Sequence, residues 1–135
     1  MTDQPAAHHD PYEAGMKVRR EVLGEAHVEG AEAAKTPFNE DFQALITRYA
    51  WGSVWTRPGL DRRTRSVAVL TALLAMRHWG EFVMHVRAAR TNGLSEEEIA
   101  EVILQSAIYC GVPVANHGFM LAREVLNELD KDASR

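Results

Sequence analysis

His85 lies in the run Glu81-Phe82-Val83-Met84-His85. Phe82, His85, Val86 and Ala89 recur at i, i+3, i+4 and i+7, so they share one face of a helix. An imidazole on the apolar side of a helix, with the Glu81 carboxylate one turn earlier and within reach of the ring, is able to move a proton near neutral pH. His78 extends the pattern: His78, Glu81 and His85 stand at i, i+3 and i+7, on one face provided that Trp79-Gly80 does not break the helix. The residues alone admit three readings. Imidazole and carboxylate ligands suit zinc or iron, although this spacing matches no metal motif with strong mechanics. A core histidine satisfied by Glu81 is the purely structural reading. A proton-transfer couple is the catalytic one.

A second set surrounds Arg48. Arg48, Trp51 and Trp55 are spaced i, i+3 and i+7, on a face separate from the stripe Phe42, Leu45, Ile46 and Tyr49, which is expected to enter the core. Two tryptophans away from the core need a partner surface, either the wall of a pocket or a subunit interface. Arg57, Arg62, Arg63 and Arg65 follow closely. The planar fork of arginine suits carboxylates, and one or two of these read as ligands while the rest read as solvated surface. In a chain of formal net charge −4, an anion is bound through such local positive charge rather than through the global field. Cys110 is the single cysteine. It precedes Gly111 at an expected helix C-terminus, where the dipole disfavours a thiolate, so it reads as a small buried thiol. The sequence has no Cys-x-x-Cys pair, no phosphate-binding glycine loop and no dinucleotide fingerprint.

The elements that must position these residues read as helices throughout. The chain has 135 residues, enough for one domain over 11–135, preceded by a polar tail over 1–10 in which His8 and His9 read as solvated. A first helix is expected over about 11–23, followed by an uncertain stretch bracketed by Gly24 and Gly30. A second starts with Asn39 as cap and runs to about Val54. Asp61 caps a third, to about His78, whose second half is apolar enough to be central and buried. The helix bearing Glu81 and His85 stops at Asn92-Gly93. Ser95 to Glu98 form a capping box that opens the next, with Ile99, Val102, Ile103 and Ser106 facing inward. After Gly111 and Pro113 a last helix runs to about Leu129. The class is all-α, about six helices in antiparallel packing. Hydrophobic residues are 46% and charged residues 25%, with no basic excess to argue for nucleic acid. No apolar run approaches the ~20 residues that span a bilayer. The N-terminus lacks the apolar stretch of a signal peptide, and a single cysteine suits a reducing compartment, so cytoplasm is the default expectation.

From about Gly15 to Leu129 the chain resembles the 4-carboxymuconolactone decarboxylases of bacterial protocatechuate catabolism, in the β-ketoadipate pathway. The resemblance is carried by Arg19-Arg20-Glu21-Val22-Leu23-Gly24, Lys35-Thr36-Pro37-Phe38 and Phe42 through Trp51. It continues in Trp55-Thr56-Arg57-Pro58-Gly59-Leu60, Arg63-Thr64-Arg65-Ser66 and Ala107-Ile108-Tyr109-Cys110-Gly111-Val112-Pro113. The wider superfamily includes the alkylhydroperoxidase D proteins, whose Cys-x-x-Cys pair precedes a histidine. Placing that histidine on His85 puts their cysteines at His78 and Glu81, so this chain resembles the peroxidase scaffold without its thiols. The chain departs from the decarboxylases at Ser53, where the family carries an acidic residue, and at Arg77-His78-Trp79-Gly80, which is less acidic than the family's run.

The resemblance implies an alkylhydroperoxidase D-like helical bundle assembled as a homo-oligomer, a trimer or hexamer. It implies 4-carboxymuconolactone as substrate, an unsaturated lactone bearing two carboxylates. Loss of carbon dioxide leaves an electron pair conjugated through the ring double bond to the lactone carbonyl. The substrate is then its own electron sink, and neither an organic cofactor nor a metal is required. On this reading His85 delivers the proton and Glu81 orients it, or the reverse. Arg48 and Arg57 hold the carboxylates, Trp51 or Trp55 forms an apolar wall, and His78 lies beside them. The alternatives are a decarboxylase of a related lactone acid, a peroxidase-like protein relying on Cys110, and a non-catalytic oligomer, with Ser53 as the residue to suspect.

Overall fold

A computed structural model of the protein describes residues 10–134. The reading of His8 and His9 falls outside them. Among the described residues the chain forms seven α-helices and one π-helix, and no strand. They are α1 (Tyr12–Leu23), α2 (Glu25–Ala33), α3 (Glu40–Ile46), the π-helix (Thr47–Val54), α4 (Arg62–Met76), α5 (Trp79–Thr91), α6 (Glu96–Cys110) and α7 (Val112–Ala133). The all-α expectation holds. The additional helix is α2, formed in the stretch left uncertain between Gly24 and Gly30. Residues divide into two compact units: the described part of Met1–Glu21 with Glu25–Arg57, and Val22–Gly24 with the described part of Pro58–Arg135.

In the first unit, Asp10 accepts a hydrogen bond from the Tyr12 amide at 3.0 Å and so starts α1. Asp10 is thereby ordered, where the sequence suggests the end of a frayed tail. Gly24, which belongs to the second unit, ends α1 at φ +92°, a left-handed conformation open to glycine. Asn39 is at the N-cap of α3, as expected, but its side chain turns back to accept from the Thr36 amide at 2.8 Å rather than capping forward. The expected single helix to Val54 changes winding at Thr47, and the Trp55 amide closes on Ala50 O, five residues back.

One expectation is inverted. Of the stripe Phe42, Leu45, Ile46 and Tyr49 assigned to the core, Ile46 is half-buried and the other three are exposed in the protomer, while Thr47, Trp51 and Gly52 are buried. The sequence carries two apolar faces here, and α-helical spacing does not say which one the fold covers.

In the second unit, α4 packs on α5 and α6, and α7 packs on α5 and α6. The core is built from Leu70, Leu74, Phe82, Val86, Ile99, Ile103, Val114 and Val125 with their neighbours. The Asp61 carboxylate caps α4 by accepting from the Thr64 amide at 2.7 Å. The Ser95–Glu98 capping box closes in both directions, at 3.0 and 2.9 Å. Ile99, Ile103 and Ser106 face inward as read. The second half of α4 does so in part: Leu70 and Leu74 are fully buried and Leu73 packs on the core, whereas Met76, like Val67 one turn before Leu70, is exposed. At Gly118 of α7 an added Cβ would stand 2.6 Å from Leu74 Cδ2 and 3.8 Å from Phe82 Cζ, so a larger residue here forces the buried Leu74 side chain to shift.

Two outcomes follow for stability. Gly118→Val should lower the urea unfolding free energy by about 1–3 kcal/mol through overpacking. The Glu98 carboxyl is held below its ordinary value by the Ser95 amide and then by the Arg63 guanidinium. Its contribution to stability is therefore present above the ordinary carboxylate range and lost as pH falls through its lower folded value. Thermal melts at falling pH should show Glu98→Gln less stable than the parent at neutral pH, with the two curves converging in acid.

Candidate active site

Trp79-Gly80 does not break the helix, since both residues open α5, and the break falls just before them. Arg77 takes a left-handed φ of 56°. The His78 amide then closes on Leu73 O at 2.9 Å and the Arg77 amide on Leu74 O at 3.0 Å, so α4 ends and α5 begins anew. His78 becomes the N-cap of α5, exposed and without a capping side-chain bond. His85 points inward, only 7% exposed, on the face shared with Phe82, Val86, Ala88 and Ala89. Glu81 occupies the first turn, where a carboxylate suits the positive end of the helix dipole, and is exposed. Among the described residues Glu81 makes no hydrogen bond or ion pair, so it does not orient the His85 ring in this geometry. Nor do three or more His, Cys, Asp or Glu side chains among them gather as metal ligands.

Trp79 anchors the start of α5. Its ring centroid lies 4.5 Å from that of His117 on α7 and 6.1 Å edge-on from Phe82. A groove of about 300 Å³ between α6 and α7, lined in part by Ile99, Ile103, Phe119 and Arg123, is formed by none of the candidate residues.

The Arg48 set belongs to the π-helix. Arg48 meets both oxygens of Asp10, with Nε at 3.0 Å and Nη2 at 3.3 Å, and its guanidinium lies 5.2 Å from the Tyr12 ring centroid. That pairing, first through the hydrogen bond from Arg48, holds the Asp10 carboxyl below the usual carboxylate range. Trp51 is buried and Trp55 half-buried, their ring centroids 5.2 Å apart with planes tilted by 34°. Arg57 and Ser53 are exposed. Arg63 is committed to structure, donating to Gly93 O and the Glu98 carboxylate.

One residue escaped the sequence reading. Arg19 of α1 is 3% exposed and donates to Thr47 Oγ1 at 3.2 Å and Gln43 Oε1 at 3.0 Å. Burial pushes its guanidinium below the ordinary arginine value. The available signal was spacing: Gly15, Arg19 and Val22 at i, i+4 and i+7 place the arginine on the buried side of α1.

Residues 40–124 match the model of the carboxymuconolactone decarboxylase family, a span that holds every candidate from Arg48 to His85. The chain belongs to that family. It is 45% identical over 118 residues to a 4-carboxymuconolactone decarboxylase of Acinetobacter baylyi, covering 87% of this chain and 88% of the relative. It is 41% identical over 122 residues to a nitrosuccinic acid decarboxylase of Metarhizium robertsii, covering 90% and 85%. A 4-carboxymuconolactone decarboxylase of Pseudomonas putida is 54% identical over 41 residues, 30% of this chain and 85% of that sequence. Family membership thus rests on α3 through most of α7, whereas Asp10 and Arg19 precede the matched span.

Because Glu81 is exposed and without a partner among the described residues, Glu81→Gln should leave the unfolding free energy within about 0.5 kcal/mol of the parent. A larger loss in urea denaturation would show that the carboxylate is held by the fold.

Proposed function

We propose that the protein is a cofactor-free carboxy-lyase that converts 4-carboxymuconolactone to the β-ketoadipate enol-lactone and carbon dioxide, in the catabolism of protocatechuate. The observation that carries this reading is His85, an imidazole turned inward on α5 within the span that matches the decarboxylase family.

In the reaction, the bond between the carboxylate and the ring carbon breaks, carbon dioxide leaves, and the electron pair passes through the ring double bond onto the lactone carbonyl. The resulting dienolate takes a proton at the carbon next to the carbonyl. His85 supplies that proton, and Glu81 supports the ring and its protonated form once substrate is bound. Arg48 and Arg57 bind the two carboxylates, and His78 contributes a further polar contact. At Arg48 the substrate takes the place of Asp10, one carboxylate exchanged for another. Trp51 or Trp55 gives the apolar wall that strips water from the departing carboxylate. A single good donor at the developing oxyanion contributes roughly 3–4 kcal/mol.

A second reading has its own support in the nitrosuccinic acid decarboxylase relative. Nitrosuccinic acid is also a dicarboxylic acid with an internal electron sink, since loss of the carboxylate beside the nitro group leaves a nitronate. The chemistry demanded of His85 is the same, and the substituents differ.

The protein is further proposed to act as a homo-oligomer, a trimer or hexamer, in a reducing compartment such as the cytoplasm. Phe38, Ile108, Tyr109 and Val112 are 99%, 81%, 82% and 72% exposed in the protomer, more apolar surface than an isolated chain usually shows. No helix among the described residues is long and apolar enough to cross a membrane.

Incubating the purified, chelator-treated protein with 4-carboxymuconolactone and, separately, with nitrosuccinic acid should bleach the lactone absorbance, with one carbon dioxide released per turnover. Preference for the nitro compound would select the second reading, and turnover of neither would sink both. His85→Ala and Glu81→Ala should each lower kcat/KM by about a hundredfold or more. A folded His85→Ala protein with parental turnover would remove the proton-donor assignment.

A further inference from the structure

We propose that Arg19 is a positioning residue that holds the π-helix in its wide winding, and through it the Trp51–Trp55 pair. A π-helix is a rare conformation, and one as long as Thr47–Val54 needs support from outside itself. The first unit supplies that support from the same side. Arg19 spans the junction where α3 becomes the π-helix: Nη2 reaches Gln43 Oε1 on α3 and Nη1 reaches Thr47 Oγ1, the first residue of the π-helix. The Thr47 hydroxyl donates in turn to Gln43 O at 2.8 Å, and the Thr47 amide closes on the same carbonyl. The fork of arginine is therefore matched to two acceptors one turn apart, which a lysine ammonium cannot reproduce.

One turn before Arg19, the backbone itself makes contact. A Cβ at Gly15 would stand 2.1 Å from Thr47 O and 2.8 Å from Gly52 N, and one at Gly52 would stand 2.4 Å from Pro11 O. Arg48 on Asp10 completes the fastening. Arg19 is buried, yet its hydrogen bonds go to neutral acceptors and its Nε has none. Glu32 acts on it only through space and offsets only part of the burial, so a charged residue hydrogen-bonded only to neutral groups is costly there, and its geometry is what it contributes. Without it, relaxation of Thr47–Val54 to α winding would rotate Trp51 and Trp55 by about 100° for each residue of slip.

The kinetic part of this inference rests on the decarboxylase reading, whereas its spectroscopic part does not. Indoles 5.2 Å apart give an exciton couplet in circular dichroism, assigned to this pair by its loss in Trp55→Phe. Arg19→Met, of similar length and uncharged, should keep the helical far-ultraviolet signal and lose the couplet. Its kcat and kcat/KM for the lactone should both fall about tenfold or more, as expected for a displaced wall that acts in the transition state. Arg19→Lys should restore part of both. A folded Arg19→Met protein with the parental couplet, or with a lost couplet and parental turnover, overturns the proposal. If Arg19→Met does not fold, Thr47→Val, which keeps the arginine and replaces the hydroxyl by a methyl, decides by the same couplet. A parent that never turns over the lactone would sink the decarboxylase reading and leave the couplet to judge Arg19 alone.

Discussion

Three helices meet a fourth at a single missing side chain. Gly118 of α7 faces Leu74 of α4, Ile103 of α6 and Phe82 of α5, all within 3.8 Å of where its Cβ would be. Close-packed interiors leave no room to absorb even a methyl group without a shift of the surrounding side chains. Phe82 is fully buried there, and His85 follows three residues later on the same helical face. The inward side of α5 that carries the imidazole is thus set by how α5 seats on α7, and the Glu81 carboxylate accepts no hydrogen bond from the ring. The His117–Trp79 ring contact fixes the start of the same helix against α7.

The first unit solves a similar problem with backbone rather than side chains. Gly15 and Gly52 let α1 touch the π-helix, and the distances leave no space for a Cβ at either position. Helix pairs that come this close gain main-chain packing and lose tolerance to substitution. Arg19 and Arg48 flank that contact, the first buried on neutral acceptors and the second paired with Asp10 at the surface. Exposed pairs such as Arg48–Asp10 add little to stability, because water and salt screen them. The pairing matters more for where it parks the guanidinium.

Much of this was legible in the residues. Asp61, the Ser95–Glu98 box and Asn92-Gly93 encode helix ends through local hydrogen bonds and glycine's freedom at positive φ, and all three lie where they were read. His85 was legible because its neighbours keep a helical period. The π-helix was not, since a widened turn is imposed by contacts with α1 far away in sequence and leaves no local signature. The Phe42 stripe was misread for a different reason. Spacing identifies a face, and only the tertiary partner decides whether that face is inside. The helix capped by Asp61 was read to about His78 and ends two residues earlier, because Arg77, a residue with no turn preference of its own, takes the left-handed conformation.

For the proposed reaction, the exposed position of Glu81 places a demand on the bound state. Its carboxylate makes no bond to the His85 ring in this geometry, so its proposed role begins only once substrate is in place. A carboxylate brought within a few ångströms of an imidazole stabilises the protonated form, which is the form that delivers a proton to carbon. Binding that draws Glu81 toward the ring therefore primes the acid in the same step that seats the lactone, and the exposed start of α5 leaves the carboxylate room to make that approach.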